Sequence, residues 1–264
     1  IAATVLKIAI GAAATVLLIC VVCGFVFVGI LGNYLQDDVL PKAYYNMENA
    51  SLDQTSFVYY VDAGGNIQQL QQIYTTTDRQ WASLEDMPQA MIDAAVAIED
   101  KRFYEHQGVD WITTIKACAR MFFGDSSVGG SSITQQLIKN LTKQDDITVQ
   151  RKLLEIFQAL EFEKTYDKKE ILEWYLNVVY FGEGCYGIEA AAQTYFGKSA
   201  SEMTLAECAS LAGITNNPSR YDPFISRANN KERQETILYE MYHTTGSITK
   251  EEYEAAKAEE EAQK

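Results

Sequence analysis

The sequence predicts a mainly α-helical domain that follows one transmembrane helix and a short β-hairpin. Three observations predict this class: residues 8–36 carry no charge, residues 57–74 have a β-like composition around a turn, and apolar residues recur at helical spacing from Pro88 almost to the end. With 264 residues, the chain is long enough for one or two domains with a sizeable core. The predicted division is a transmembrane anchor (1–36), a membrane-proximal linker with the hairpin (37–85), and the helical domain (86–264).

The transmembrane prediction is based on residues 8–31, which are almost all apolar or small. At about 1.5 Å per residue this run is long enough to cross a bilayer, and it is too long for the apolar part of a signal peptide. Lys7 precedes the run, and Asp37 and Asp38 follow it. The excess of positive charge on cytoplasmic flanks therefore predicts a cytoplasmic N-terminus, with everything after Asp37 outside.

The hairpin prediction takes 57–61 as one strand, the turn-forming residues 62–66 as its loop and 67–74 as the return strand. Further on, helical spacing and start signals predict a series of helices. They are expected at 88–100, 109–122, 133–141, 148–164, 168–177, 185–195, 203–213, 228–243 and 249–259.

Composition excludes several function classes. The net charge of −14 and the pI near 4.6 argue against a nucleic-acid partner. Five cysteines in no regular spacing predict no disulfide framework, and two histidines predict no zinc cluster. The basic residues are nevertheless clustered, which predicts one anion-binding cleft on an acidic protein. The cluster consists of Lys139, Lys143, Arg151, Lys152, Lys164, Lys168 and Lys169.

An acidic pair ends the helix predicted at 88–100. Met91, Ala94, Ala95 and Ile98 form its apolar stripe; the helical wheel places Glu99 at the edge of that stripe and Asp100 on the far side. Partial desolvation at such an edge suits a general base. The alternative is a structural boundary glutamate with its carboxylate in water, which is the commoner case for this pattern alone.

A Gly/Ser-rich loop at 124–132 leads into the next polar helix start. Ser132 and Gln135 have the spacing of a capping box, and Lys139 follows one turn later. A helix N-terminus with unpaired N–H groups beside a lysine predicts an anion site. The alternative is a capped helix with a solvated lysine.

The helix at 148–164 contains a second candidate carboxylate. Its predicted core stripe is formed by Leu153, Ile156, Phe157 and Leu160. Arg151 and Glu155 lie on the opposite side at positions i and i+4. The pattern alone favours a solvent-exposed ion pair, which would contribute a few tenths of a kcal/mol, about 0.3–0.5.

Five motifs in order resemble those of the family 51 glycosyltransferases, the peptidoglycan polymerases, from about Arg79 to Ala256. They are Glu99-Asp100-x-x-Phe103-x-x-His106-x-Gly108, then Gly130-Ser131-Ser132-Ile133-Thr134-Gln135-Gln136 with Lys139-Asn140, then Arg151-Lys152-x-x-Glu155, then Lys169-x-Ile171-Leu172-x-x-Tyr175-Leu176-Asn177, and Leu211-Ala212-Gly213 followed by Arg220-Tyr221-Asp222-Pro223. Two positions depart from the family pattern. Ser132 stands where threonine is usual, and Lys116 stands where arginine is common, so it keeps the charge without the bidentate fork.

The resemblance implies a lysozyme-like, two-lobed helical domain that acts on lipid II. The growing glycan, on its undecaprenyl pyrophosphate, is then the donor, and the 4-hydroxyl of lipid II is the acceptor. The product is a β-1,4 glycan strand made with inversion. Glu99 and Glu155 are the implied catalytic residues: Glu99 is the implied base, and Glu155 either assists departure of the leaving group through a metal or water or orients Arg151. The implied substrate-binding residues are Asp100, Phe103, His106, Lys116, Ser132, Thr134, Gln135, Gln136, Lys139, Asn140, Arg151, Lys152, Tyr175 and Asn177.

Cofactors and partners are also expectations from the resemblance. No cofactor is required and no residue is assigned as a metal ligand, although a divalent cation (Mg or Mn) at the pyrophosphate is left open. The expected partners are lipid II, the growing glycan, the bilayer, and other proteins of cell-wall synthesis and division. The expected location is the bacterial plasma membrane, crossed once, with the catalytic domain outside. The aromatic run at 121–123 is expected to dip into the bilayer beside the cleft.

Inversion also predicts a geometry. Glu99 and Glu155 should face each other across one cleft, at or above the roughly 6.5–9.5 Å between carboxyls of inverting glycosidases.

Two alternatives stay open: a membrane-anchored lysozyme-like enzyme that cleaves glycan, and a non-catalytic scaffold of the same fold. A glycan-cleaving enzyme has no use for a pyrophosphate site formed by Lys139 and Arg151, and a scaffold would be free to lose Glu99 or Lys139, both of which are present. A monofunctional transferase would end near here, whereas a bifunctional penicillin-binding protein would continue into a transpeptidase domain; the charged end at 259–261 would suit a domain boundary and favours the second.

Overall fold

The computed structural model describes residues 2–50, 52, 54–73, 77–122, 129–143, 146 and 148–262, and within them the predicted mainly helical class is confirmed. The helices are α1 (Ala2–Tyr34), α2 (Leu40–Ala43), α3 (Gln89–Glu99), α4 (Trp111–Phe122), α5 (Ile133–Thr142), α6 (Val149–Thr165), α7 (Lys168–Val178), α8 (Ile188–Phe196), α9 (Leu205–Ile214), α10 (Pro218–Tyr221), α11 (Arg227–Glu240) and α12 (Lys250–Ala262). The strands are β1 (Ser56–Val61) and β2 (Ile67–Ile73). Short 3-10 turns lie at Met47–Asn49, Leu84–Asp86 and Ala200–Glu202.

The N-terminal helix is long and apolar enough to cross a membrane. A span at Ala13–Ala43 contains an 18-residue window with mean hydropathy 2.9, none of it buried within the protein. α1 passes through a π-helical turn (Leu35–Val39) into α2, which packs on α6. There Gln158 Nε2 donates to the carbonyl oxygen of Lys42 at 3.1 Å. Length and composition therefore fit membrane anchoring, and α2 joins the apolar helix directly to the helical body.

The hairpin is confirmed as an antiparallel pair with a bulge between Val58 and Tyr59. Asp62 shapes its turn, because its Oδ1 accepts from the N–H groups of Gly64 at 2.8 Å and Asn66 at 2.9 Å. Nearly all side chains of both strands are exposed. The strands are attached to the body at their base, where Asp78 N–H donates to the carbonyl oxygen of Gly184 at 3.0 Å.

The remaining helices form two groups around one continuous hydrophobic core. In the first group, α9 contacts α3, α10, α11 and α12; in the second, α5 contacts α6 and α7. The C-terminal end of α3 lies where the groups meet, because its last residue, Glu99, bonds to Thr215 after α9 and to Gln136 in α5. This junction therefore brings Glu99 into contact with both helix groups.

One predicted helix face is wrong. α6 buries Glu155, Gln158, Ala159 and Phe162, whereas Leu153, Ile156, Phe157 and Leu160 of the predicted core stripe are only half-buried. The physical reason is that the polar groups on the buried face have partners: two cations at Glu155 and a backbone carbonyl at Gln158. The spacing of apolar residues does not show which polar side chains have partners that allow them to be buried.

Candidate active site

Glu99 is a half-buried carboxylate held by two neutral donors. Gln136 Nε2 donates to Oε2 at 2.8 Å, and the Thr215 hydroxyl donates to Oε1 at 3.0 Å. Because the donors come from different helix groups, they fix the carboxylate's orientation at the junction. A carboxylate has about four lone-pair sites, so both oxygens keep room for another hydrogen bond.

A cavity of about 450 Å³ opens in front of Glu99. Its wall combines the end of α3, the residues before α5 and a turn after α11. The lining residues are Ile98, Glu99, Asp100, Lys101, Arg102, Asp110, Thr113, Gly129, Gly130, Ser131, Ser132 and Thr244. The predicted Gly/Ser loop therefore contributes to the wall through Gly129–Ser132, while 123–128 lie outside the described residues.

Asp100 does not point away from the body as the helical wheel predicted. α3 ends at Glu99, and Asp100 adopts φ −154°, which turns its buried side chain inward. Its Oδ2 accepts from the N–H of Ile133 at 3.1 Å and lies 2.9 Å from His106 Nε2. Asp100 and His106 thus tie the segment after α3 to the start of α5.

The start of α5 has the predicted capping box. Ser132 Oγ accepts from the N–H of Gln135 at 3.2 Å, and Gln135 Oε1 accepts from the N–H of Ser132 at 3.0 Å. The predicted anion site at this N-terminus is wrong for Ile133 and Gln135, because Asp100 and Ser132 already occupy their N–H groups. The helix start is consequently a rigid support for the site.

Gly108 of the first motif has a packing explanation. Its φ is +81°, and a Cβ there would lie 2.3 Å from the carbonyl oxygen of Ala159 in α6. The Gly108 carbonyl oxygen also accepts from the Ser132 hydroxyl. Only glycine permits both the left-handed backbone and this close approach, so Gly108 holds α5 and α6 in register.

Glu155 is a buried, charge-compensated carboxylate, so the predicted exposed ion pair is wrong. Arg151 Nη1 donates to Oε2 at 2.6 Å, while Lys152 Nζ and Gln135 Nε2, the latter at 3.2 Å, donate to Oε1. Glu155 is 4% exposed. Two cations and an amide are what allow a carboxylate to be buried this far.

The surroundings of the two carboxylates are connected. Neighbouring residues of α5 serve them, Gln135 bonding to Glu155 and Gln136 to Glu99. Lys152 also donates to the hydroxyl of Ser131 at 2.7 Å, and Ser131 lines the cavity of Glu99. Glu155 is therefore not on the outer surface, and Lys152 and Ser131 link it to the cavity. The separation between the carboxylates stays a prediction.

The other predicted cationic and polar residues differ in placement. Lys116 on α4 and Lys139 on α5 are exposed, and Asn140 is half-buried. The single basic cluster is divided in the structure. Lys164 pairs with Glu161 at 2.5 Å and Lys168 with Glu163 at 2.6 Å, near the end of α6 away from Arg151. The cations that can face an anion near the site are thus fewer than the sequence cluster suggested.

Besides Asp100, Ser132 and Gln135, four further predicted binding residues lie in the interior, namely Phe103, Thr134, Tyr175 and Asn177. Asn177 bridges the backbone N–H and carbonyl of Ala82, both at 2.8 Å. The Tyr175 hydroxyl donates to Gln136 Oε1 at 3.4 Å, and burial raises the pKa of Tyr175 well above its ordinary value. These buried side chains contact residues that hold the site together, and their contact with a substrate stays a prediction.

Sequence reasoning missed Thr113 and Thr244, which line the cavity, and Thr215, which donates to Glu99. Thr215 follows the fifth motif's Leu211–Gly213 by two positions, so the motif could have directed attention to it. Thr244 gave no such signal, because it reaches the cavity only through an irregular turn after α11.

Comparisons with known proteins show the family of this chain. The family model described as Transglycosylase matches residues 65–242. Penicillin-binding protein 2D of Bacillus subtilis is 39% identical over 77% of this chain and 29% of its own length. A protein of Cupriavidus necator named as a transglycosylase is 42% identical over 64% of this chain and 73% of its own length.

The chain is also similar to a solved structure. The 2.6 Å crystal structure of penicillin-binding protein 1A from Haemophilus influenzae gives a TM-score of 0.44 at 27% identity, covering 78% of this chain and 20% of that chain. The chain spans about a quarter of the length of several penicillin-binding relatives. The family-model match and the Cupriavidus relative show that the chain belongs to the transglycosylase family, that of the peptidoglycan glycosyltransferases.

Proposed function

We propose that this chain polymerises lipid II into β-1,4-linked glycan strands, with inversion at the donor anomeric carbon and release of undecaprenyl pyrophosphate. The observation that carries the proposal is the environment of Glu99, a half-buried carboxylate with neutral donors in front of a cavity of about 450 Å³. A sugar hydroxyl is a poor nucleophile and needs a positioned base. Glu99 is the proposed base for the acceptor 4-hydroxyl.

The leaving pyrophosphate needs cations, because negative charge develops on it as the glycosidic bond breaks. Lys139, Arg151 and Lys152 are the proposed cations. Arg151 and Lys152 are already oriented by Glu155, with N–O distances that include 2.6 Å for Arg151. Glu155 is then the residue that holds these cations in place. The N-terminus of α5 supplies no free N–H from Ile133 or Gln135, so the side chains provide the positive charge.

A divalent cation at the pyrophosphate stays a prediction. Among the residues that the structure describes, no group of three or more His, Cys, Asp and Glu side chains could hold a metal ion. Both oxygens of Glu155 already accept from cationic or amide N–H groups, so this carboxylate is a poor ligand as it stands. Any such cation would depend chiefly on phosphate oxygens for its ligands.

The membrane topology completes the proposal. In this proposal α1 anchors the chain in the bacterial plasma membrane, and the flanking charges Lys7 and Asp37 favour a catalytic domain on the extracytoplasmic face. A lipid-linked substrate lies in that same membrane. Other cell-wall synthesis and division proteins are proposed partners in a general sense only, and a transpeptidase domain after α12 stays an expectation.

The alternative of a glycan-cleaving enzyme is not favoured. Hydrolysis of a glycosidic bond releases no pyrophosphate, so it has no use for Arg151 and Lys152 beside the cavity. The alternative of a non-catalytic scaffold predicts no retained base, whereas Glu99 is present and oriented.

The direct test gives the membrane-embedded chain purified lipid II and follows the products by gel, with and without a chelator and with moenomycin, the family's known inhibitor. We expect a ladder of glycan strands that moenomycin abolishes. Protease added outside intact cells should digest the chain beyond Asp37. Soluble muropeptides released from sacculi, with no polymer made from lipid II, would support the hydrolase instead.

A further inference from the structure

A turn at the end of α11 contributes to the wall of the cavity in front of Glu99, which is also lined by the Gly129–Ser132 segment. α11 continues into a π-helical turn over Met241–Thr245, closed by a hydrogen bond from the Gly246 N–H to the Met241 carbonyl oxygen. A π turn holds one residue more than an α turn, so it rotates the residues that follow, and such turns are frequent at functional sites. Here Thr244 becomes part of the cavity wall.

Thr244 is connected to the segment that carries the base. Its hydroxyl donates to Glu240 Oε2, and Lys101 Nζ lies 2.7 Å from the same oxygen. Lys101 is two positions after Glu99 and also lines the cavity. Burial raises the pKa of Glu240, but the bonds from Lys101 and Thr244 outweigh it and leave the pKa below its ordinary value. We name Lys101, Glu240 and Thr244 the π-turn triad.

The two outer members of the triad keep hydrogen-bonding capacity. An ammonium has three N–H donors, of which Glu240 engages one, and a threonine hydroxyl that donates still accepts. Thr244 is exposed and the Lys101 side chain is 41% exposed, so both groups are accessible from the cavity. A cationic donor and a hydroxyl acceptor beside a base can bind the hydroxyl and amide groups of a sugar.

The position of the triad indicates which sugar it would bind. Of the cations proposed for the pyrophosphate, Lys152 is linked to the cavity, because it donates to the hydroxyl of the lining residue Ser131. The triad comes from the other helix group, at the ends of α3 and α11. The donor's pyrophosphate and the attacking hydroxyl must lie on opposite faces of the reacting sugar in an inverting displacement. Because the triad comes from a different helix group than Lys152, we assign the donor pyrophosphate to Lys152 and the acceptor sugar to the triad.

We infer that Thr244 and Lys101 bind the acceptor sugar and direct its hydroxyl towards Glu99, and that Glu240 is the positioning residue that holds both. This inference rests on the proposed function and adds the acceptor contacts to it. The hydroxyl itself transfers its proton to Glu99 as before, so the triad changes acceptor binding and not the chemistry of the step.

The test substitutes Thr244→Val, which keeps the shape and removes the hydroxyl. With short glycan chains on undecaprenyl pyrophosphate as donor and lipid II as the varied acceptor, KM for lipid II should rise by about 3–10-fold, the equivalent of one lost hydrogen bond, while kcat changes little. Thr245→Val is the matched control. It lies in the same π turn, but its hydroxyl donates to the Met241 carbonyl oxygen at 3.2 Å. Its KM should stay at the wild-type value.

A second variant, Glu240→Gln, keeps the side-chain shape and removes the charge that orients Lys101. Its KM for lipid II should also rise, with a melting temperature measured alongside to detect loss of fold. An unchanged KM in Thr244→Val would overturn the inference, as would an equal rise in Thr245→Val or a loss of kcat alone. Failure of the proposed function is a separate result, because the wild-type chain would then make no polymer at all.

Discussion

The two carboxylates of this site are the same residue type in opposite surroundings. Glu99 is half-buried, faces a cavity and receives hydrogen bonds from a neutral amide and a neutral hydroxyl. Glu155 is 4% exposed and receives hydrogen bonds from an arginine, a lysine and an amide. Neutral donors leave a carboxylate able to take a proton from a substrate. Glu155 instead contacts two cations, and its proposed role is to orient them.

The largest effect is expected when each of the two glutamates is replaced by glutamine, because the two variants should lose different properties. Glu99→Gln keeps the shape but cannot accept a proton, so turnover of lipid II should fall by about 10²–10⁴-fold while the melting temperature stays near that of the wild type. Glu155→Gln should instead lower the free energy of unfolding by about 3 kcal/mol, because Arg151 and Lys152 lose their buried counter-charge. Gel assays and thermal unfolding measure the two quantities. Wild-type turnover by a folded Glu99→Gln variant would refute the base assignment.

Much of the fold could be predicted because its information is local. Helix spacing and caps such as Ser132 with Gln135 depend on residues three or four positions apart, and the helices lie close to their expected places. The helix expected from 185 begins at Ile188, because the segment Gly182–Gly187 contains several positive φ angles. The short helix α10, started by Asn217 and Pro218, was not predicted.

The site was less predictable because its information is not local. The motifs identified the residues, but not which of them line the cavity and which support it from the interior. Asp100 turns inward because an N–H group of α5 and His106 are there to meet it. Glu155 is buried because Lys152 and Gln135 converge on it from different helices. Pairings of this kind depend on tertiary packing, which periodicity along one helix does not contain.

A smaller effect tests whether the side of the site near Glu155 binds the pyrophosphate. Lys139→Ala should weaken binding of pyrophosphate-bearing ligands by about 10–100-fold, the range for a hydrogen bond to a charged group, and should change binding of neutral sugars much less. Calorimetric titration with both ligand types measures the difference. Lys164→Ala is the control, since Lys164 is an exposed lysine paired with Glu161. Equal losses for both ligand types would indicate a folding defect in Lys139→Ala.

The smallest expected effect concerns Asp110, which lines the cavity of Glu99 but is held in the manner of Glu155. Burial would raise the pKa of Asp110, but the Arg102 guanidinium and the Thr113 hydroxyl and N–H outweigh it and hold the pKa well below the usual range. A lowered folded-state pKa stabilises the protein above the unfolded carboxyl pKa of about 4, and this stability is lost as the pH falls further. Asp110→Asn should therefore cost about 1–2 kcal/mol at neutral pH and progressively less in acid.

The control for Asp110 is Asp93, a carboxylate whose pKa is shifted in the opposite direction. Burial raises the pKa of Asp93 despite a hydrogen bond from Gln89, so its charge disfavours folding once the pH exceeds the unfolded carboxyl pKa. Asp93→Asn should accordingly gain stability relative to the wild type as the pH rises from about 4 to 7. Denaturant unfolding of both variants at several pH values measures the two slopes. Slopes of the same sign would show that the Arg102 pair does not govern Asp110, and that neutral and cationic donors do not divide the carboxylates of this cavity as proposed.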